Sequence, residues 1–303
     1  MKRLFIAAAA LFGAAAFATP ASANLNVFAC EPEWGALSTE IGGDKVNVYT
    51  ATVGGQDPHQ VQARPSLIAR ARTANISVCT GAELEVGWLP LIIQQSSNNR
   101  ITPGQPGSFD ATSAVRLVER PSSVDRSQGD IHAGGNPHIQ TDPRNILMVS
   151  RALAQRFAAL DPGSAATYTA RQADFEHRWI AAMARWQTRA APLRGVSIAV
   201  QHHSWPYLEN WLGLTEVIPL EPRPGVPASS GYLAQVLQTL QTRPVRFVIR
   251  AAYEDPRSGD FISQRAHIPA ITLPFTVGGD AQATNLFTLY DDTITRLLAG
   301  IGQ

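Results

Sequence analysis

The chain has 303 residues, 45% of them hydrophobic, which exceeds one ordinary core and fits two domains. Its 25 basic and 24 acidic residues leave a formal charge of +1, or −1 once Lys2 and Arg3 depart with a cleaved leader. Such neutrality excludes the electrostatic footprint of a nucleic-acid or anionic-lipid binder.

The chain opens with Lys2-Arg3, an apolar run from Leu4 to Phe17, and small residues at Ala21-Ser22-Ala23. This is the pattern of a secretory signal peptide over 1–23, cleaved after Ala23. The run of about 14 residues falls short of the roughly 20 that span a bilayer, and no later stretch reaches that length. The expectation is therefore a soluble, exported protein. Cys30 lies beyond the better cleavage site, which argues against a lipid anchor.

Downstream, short β-branched runs alternate with helical patterns. Strands are expected at Leu25–Ala29, Val46–Thr50, Ile76–Thr80 and Val115–Val118, then at Val196–Gln201, Glu216–Leu220, Val245–Ile249 and Ala270–Leu273. Helices are expected at Pro65–Thr73 and Tyr232–Gln241, with a helical pattern over Leu286–Leu298. The alternation occurs twice and predicts an α/β fold of two similar lobes with parallel sheets. Between them, Tyr168, Phe175, Trp179, Ile180, Met183 and Trp186 form an apolar stripe on one long backbone helix over Gly163–Ala191. A helix of about 28 residues would be roughly 42 Å long and would join both lobes; two shorter helices with a break are the alternative. The expected division is 1–23 leader, 24–162 amino-terminal lobe, 163–191 linking helix and 192–303 carboxyl-terminal lobe.

Cys30 and Cys79, the only cysteines, each end a strand-like run. A disulfide between neighbouring strands and a pair of buried thiols both remain open. Between Gln94 and Gln140, Ser96-Ser97-Asn98-Asn99 and Thr102-Pro103-Gly104-Gln105-Pro106-Gly107 read as loop, and Ser122 to Pro137 is polar, lacks hydrophobic periodicity and leads directly into His138. A loop of that length within a compact domain points to function or disorder.

Four candidate metal ligands stand far apart: His59 in Asp57-Pro58-His59, His138 in Asn136-Pro137-His138, His202 in Gln201-His202-His203, and Asp280 after Gly278-Gly279. Three imidazoles and a carboxylate make the closed tetrahedral shell that Zn²⁺ favours. Successive side chains of an extended segment alternate in direction, so only one of His202 and His203 ligates. Asp291, Asp292 and water compete with Asp280 for the fourth place. Trp205 and Tyr207 are expected to wall the site, or to be ordinary core. Glu83 and Glu85 are candidates to orient a ligating imidazole, or helix-start acids. His132 is placed to capture metal and pass it inward; His177 and His267 read as structural.

Several segments taken together carry a resemblance. They are the exported start, Gly54-Gly55-Gln56-Asp57-Pro58-His59 with Arg64-Pro65-Ser66, Cys79 to Glu85, Asn136-Pro137-His138, His202 to Leu208, and Glu221-Pro222-Arg223-Pro224-Gly225. In order and spacing, over nearly the whole mature chain, they resemble the zinc-specific periplasmic solute-binding proteins of metal ABC transporters (cluster A-I type). The resemblance implies two lobes joined by a long helix, a metal site in the interlobe cleft formed by His59, His138, His202 and Asp280, and Zn²⁺ as transported ligand. It also implies a monomer delivering zinc to an inner-membrane ABC permease, with no enzymatic activity. Manganese-binding relatives carry a carboxylate at the third position, where this chain has His202. The sequence departs from the family in lacking a long histidine-rich run between the first two ligands, which suggests supply by a periplasmic zinc metallochaperone. It departs also at the fourth ligand, since Thr276 lies nearer the usual position than Asp280. Against these expectations stand a manganese or other divalent-metal binder of the same family, a secreted zinc hydrolase, and an organic-solute binder or adhesin. The hydrolase is disfavoured by the lack of a His-Glu-x-x-His or Gly-x-Ser-x-Gly arrangement.

Overall fold

A computed structural model describes residues 24–121, 129 and 131–302. The leader and its cleavage point, and positions 122–128 of the polar loop, lie outside the described residues.

Two four-stranded parallel sheets form the two lobes. The first joins β1 (Leu25–Ala29), β2 (Val46–Thr50), β3 (Ile76–Cys79) and β4 (Ser108–Asp110) in the order β2-β1-β3-β4. The second joins β5 (Ser197–Val200), β6 (Thr215–Pro219), β7 (Phe247–Ala251) and β8 (Ala270–Leu273) in the order β6-β5-β7-β8. Central strands such as Ile76–Cys79 are buried on both faces, as parallel sheets covered by helices require. In both sheets the strand order reverses beside the first strand, and the loops leaving the carboxyl ends there form a crevice.

The crossovers are α1 (Pro32–Gly42), α2 (Pro65–Thr73) and α3 (Leu89–Ser96) in the first lobe, and α6 (Pro206–Leu212), α7 (Ser230–Thr242) and α8 (Arg257–Ala266) in the second. Between the sheets run α4 (Pro143–Leu160) and α5 (Ala165–Arg189), and α9 (Leu286–Gly300) closes the chain. Five of these helices carry proline in the first turn, where a missing N–H costs nothing and the fixed φ favours entry.

The linking helix is α5, unbroken over 25 residues and so about 37 Å long. Its Phe175, Trp179 and Trp186 are fully buried and meet Phe287 and Tyr290 of α9, with ring centroids 4.8 Å apart for Trp179–Phe287 and 5.1 Å for Trp186–Tyr290. One continuous core runs from Trp34 of the first lobe through this aromatic brace to Phe247 of the second. Smaller clusters sit on the outer face of each sheet, around Trp88 in the first and Ile262 in the second.

One expectation is corrected and one open question is closed. Val115–Val118 is not a strand: Val118 donates its N–H to the Tyr207 hydroxyl of the other lobe, 3.1 Å away, rather than to a ladder. The edge position is taken instead by β4, only three residues long and paired in parallel with β3. Cys30 and Cys79 are joined as a disulfide across the ends of β1 and β3, with Cα atoms 4.8 Å apart.

Candidate metal centre

Three loops at the carboxyl ends of strands bring His59, His138 and His202 together. His59 follows β2, His138 follows β4, and His202 lies two residues beyond β5. Their candidate ligand atoms all fall within 4.8 Å of one another. The ring centroids form a nearly regular triangle with sides of 5.4, 5.6 and 5.7 Å. Tetrahedral zinc with bonds near 2.05 Å places its nitrogens about 3.4 Å apart, so a small contraction closes this triangle on an ion.

Each imidazole is oriented through Nδ1. His59 donates from Nδ1 to Asp57 Oδ1 at 2.8 Å, and the same oxygen accepts its backbone N–H at 2.9 Å. His138 repeats the arrangement on Asn136, at 2.8 Å from Nδ1 and 3.1 Å from the backbone. Asp-Pro-His and Asn-Pro-His are thus one device: a proline fixes the turn, and the side chain before it locks the imidazole after it. His202 donates from Nδ1 to Glu221 Oε2 at 2.7 Å, and that oxygen also accepts the Gly225 N–H. With Nδ1 engaged, Nε2 is the ring nitrogen left to face an ion in each case. The Nε2 atoms of His59 and His138 are buried without any partner. Burial, then the neighbouring histidines, holds His138 well below the ordinary imidazole value and keeps it neutral.

The support beneath this triangle is interlobe. Tyr207 donates its hydroxyl to the Asn136 carbonyl at 2.7 Å, and Asn136 Nδ2 donates to the His203 carbonyl and to Glu119 Oε2, each at 3.1 Å. His203 faces away from His202: Nδ1 contacts Glu216 at 2.7 Å and Nε2 contacts Glu119 at 2.9 Å. Those two bonds, Glu119 first, push His203 up to about 10, so it is an imidazolium with no lone pair to offer. Trp205 packs edge-on against Phe275, which in turn lies 5.8 Å from the His138 ring.

Asp280 is not gathered with the histidines. Its Oδ1 accepts the N–H groups of Gln282 and Ala283, each at 2.9 Å, and its Oδ2 lies 2.7 Å from Arg296. Gly278 and Gly279, just before Asp280, bring the backbone against Gly54, where a Cβ would sit 2.2 Å from the Gly278 carbonyl carbon. The competing carboxylates are also engaged: Asp291 accepts from Trp186 Nε1 at 2.7 Å and Asp292 from Arg296 at 2.5 Å. Thr276 donates its hydroxyl to Glu33, a bond across the two lobes. Glu83 and Glu85 do not orient a histidine of the triangle. Glu85 accepts the N–H of Thr80 at 2.7 Å and Glu83 that of Ala133 at 3.0 Å. The orienting groups are Asp57, Asn136 and Glu221, and the Asx residue two places before each of the first two histidines was the sequence signal for them.

Two openings reach the triangle. A cavity of about 600 Å³ is lined on one side by Asp57, His59, His202 and Glu221 and on the other by Tyr253 and Glu254. A smaller one of about 250 Å³ is lined by His132, His138, His202 and His203.

Residues 27–300 match the family model of the zinc-uptake complex component A, periplasmic (ZnuA). A ZnuA crystal structure superposes with a TM-score of 0.73 at 20% identity, covering 90% of this chain and 99% of that one. A Mn-bound S38A mutant of a periplasmic metal binding protein from Candidatus Liberibacter asiaticus gives 0.74 at 15% identity, covering 91% and 99%. Among curated relatives, a manganese ABC transporter substrate-binding lipoprotein of Streptococcus gordonii is 23% identical over 150 residues, 48% of this chain and 45% of its own length. An iron ABC transporter substrate-binding lipoprotein of Streptococcus pyogenes serotype M1 is 22% identical over 153 residues, 50% and 46%. The chain spans about half the length of these curated relatives.

Proposed function

This chain belongs to the periplasmic zinc-uptake component A family, a family of solute-binding proteins for metal transport rather than enzymes, and from that premise we propose that it captures Zn²⁺ and delivers it to an ABC-type permease. The observation that carries the reading is the triangle of His59, His138 and His202, with Nδ1 tied to Asp57, Asn136 and Glu221 and the opposite faces of the rings converging.

Neutral imidazoles suit zinc, whereas Mn²⁺ and other hard ions favour carboxylate and water oxygens. The relatives named for manganese and iron make this choice of metal the point to test. Zn²⁺ arriving through either opening would meet three lone pairs whose orientation is already set, so little side-chain freedom is lost on binding. Asp57 and Glu221 supply two negative charges behind the rings of His59 and His202, which offset the charge of the ion and fix the ring orientation. The burial of His138 removes competing water.

Residues 1–23 would be the export leader, 24–162 and 192–303 the two lobes, and 163–191 the connector. A monomer docking both lobes on its permease, supplied by a periplasmic zinc metallochaperone, fits a chain without a histidine-rich run. The test is metal content after chelation and refilling from an equimolar mixture of Zn²⁺ and Mn²⁺. One zinc per chain with negligible manganese is expected; preferential manganese loading would reverse the assignment of cargo.

A further inference from the structure

Resting on that reading, we propose that His132 supplies the fourth ligand, making the site one of four imidazoles in place of three and a carboxylate. Its ring lies 5.5 Å from that of His59 and 6.2 Å from that of His138, centroid to centroid, one step outside the triangle. Its Nε2 is buried and has no partner, the same condition as His59 and His138. An imidazole nitrogen withdrawn from water and left unpaired is costly unless something occupies it.

The ring is held for this task. The ring lies against the backbone of Ala82 and Glu83. The next residue, Ala133, donates its N–H to Glu83 Oε2 at 3.0 Å. Ala82 and Glu83 both adopt left-handed backbone, φ 49° and 68°, which side-chain-bearing residues seldom do. The strained turn after β3 thus anchors this segment through Ala133, beside the His132 ring.

The charge balance agrees. Asp57 and Glu221 already match the two positive charges of the ion, so a fourth ligand need not be anionic. Asp280, the carboxylate alternative, holds two amides through Oδ1 and forms an ion pair with Arg296 through Oδ2.

The test compares His132→Ala, His59→Ala and Asp280→Asn by zinc competition with a chromogenic chelator, together with zinc-edge X-ray absorption to count imidazoles. Four imidazoles are expected in the parent and three in His132→Ala, with one zinc still bound and affinity lower by on the order of 10- to 100-fold. His132→Gln should behave like His132→Ala. Parent affinity in His132→Ala with collapse in His59→Ala would leave the capture site standing and remove His132 from it. A slower uptake from a zinc donor without loss of affinity would make His132 a relay and overturn the proposal. Loss in Asp280→Asn alone would assign the place to the carboxylate. No loss in either histidine variant would overturn the site as well.

Discussion

The two lobes share a strand order but not a use for it. In the first sheet the ends of the two central strands, β1 and β3, are stapled by Cys30–Cys79 and surrounded by the buried carboxylates Glu31, Glu33 and Glu85. In the second, the end of β5 carries His202 with no staple, and the end of β7 opens onto the cavity lined by Tyr253 and Glu254. The first lobe contributes its histidines from the outer strands β2 and β4, the second from its central strand. The same crevice therefore receives ligands from different rungs of two similar ladders. Topology fixes where a site can be, and loop chemistry decides which strand serves it.

Removing a ring from the triangle should give the largest effect. His138→Ala, which takes the most deeply buried imidazole of the first lobe, should weaken zinc binding by more than about 100-fold, beyond the loss that an outer hydrogen-bond partner causes. Titration against a competing chelator reads this, and equal affinity for parent and variant would remove His138 from the site. The staple comes next. Replacing Cys30 and Cys79 with alanine frees a loop closed over a sequence separation of 49 residues and should cost about 2–4 kcal/mol of stability, read by denaturant unfolding. Zinc affinity should change far less, because no ligand sits on β1 or β3. Asn136→Ala sharpens the contrast: it deletes the group that orients His138 and bridges to His203 and Glu119, and should cost about 10- to 100-fold in affinity at unchanged stoichiometry.

The smallest expected effect depends on pH. Burial raises Glu33 to about 7, against which the Thr276 bond works. A carboxyl raised in the folded state stabilises fully below its unfolded value and less as pH climbs through its folded one. Stability from this group should therefore decline between roughly pH 4.5 and 7. Glu33→Gln should flatten that decline, gaining about 1–2 kcal/mol over the parent at pH 8 and nothing at pH 5, by thermal unfolding at both values. A constant difference across pH would mean that Glu33 is ionised throughout.

Much of the frame is readable from the chain because its signals are local. The β-branched runs at Leu25–Ala29, Val46–Thr50 and Ala270–Leu273 coincide with strands to the residue, and the aromatic stripe of α5 outlines an unbroken helix. His59, His138 and His202 stand out because two follow proline and one ends a strand, and the folded chain draws these three together. What escapes is decided by distant partners. Val115–Val118 has a strand's composition, yet Tyr207 claims its N–H, and β4 is too short to show a period. Asp280 illustrates the same rule at the site. Two glycines before an acid look like a ligand loop, but the amides of Gln282 and Ala283 and the guanidinium of Arg296, none obvious as partners, hold the carboxylate.

The aromatic brace along α5 and α9 gives the molecule an elastic character as well as a shape. Because Trp179, Trp186, Phe287 and Tyr290 interlock in the one core that both lobes share, a wide swing of one lobe against the other would have to tear that core open. Metal–nitrogen bonds tolerate only a few tenths of an ångström before they weaken. Any adjustment of the histidine triangle therefore has to be a displacement of a few tenths of an ångström within an intact brace rather than a hinge opening between the lobes.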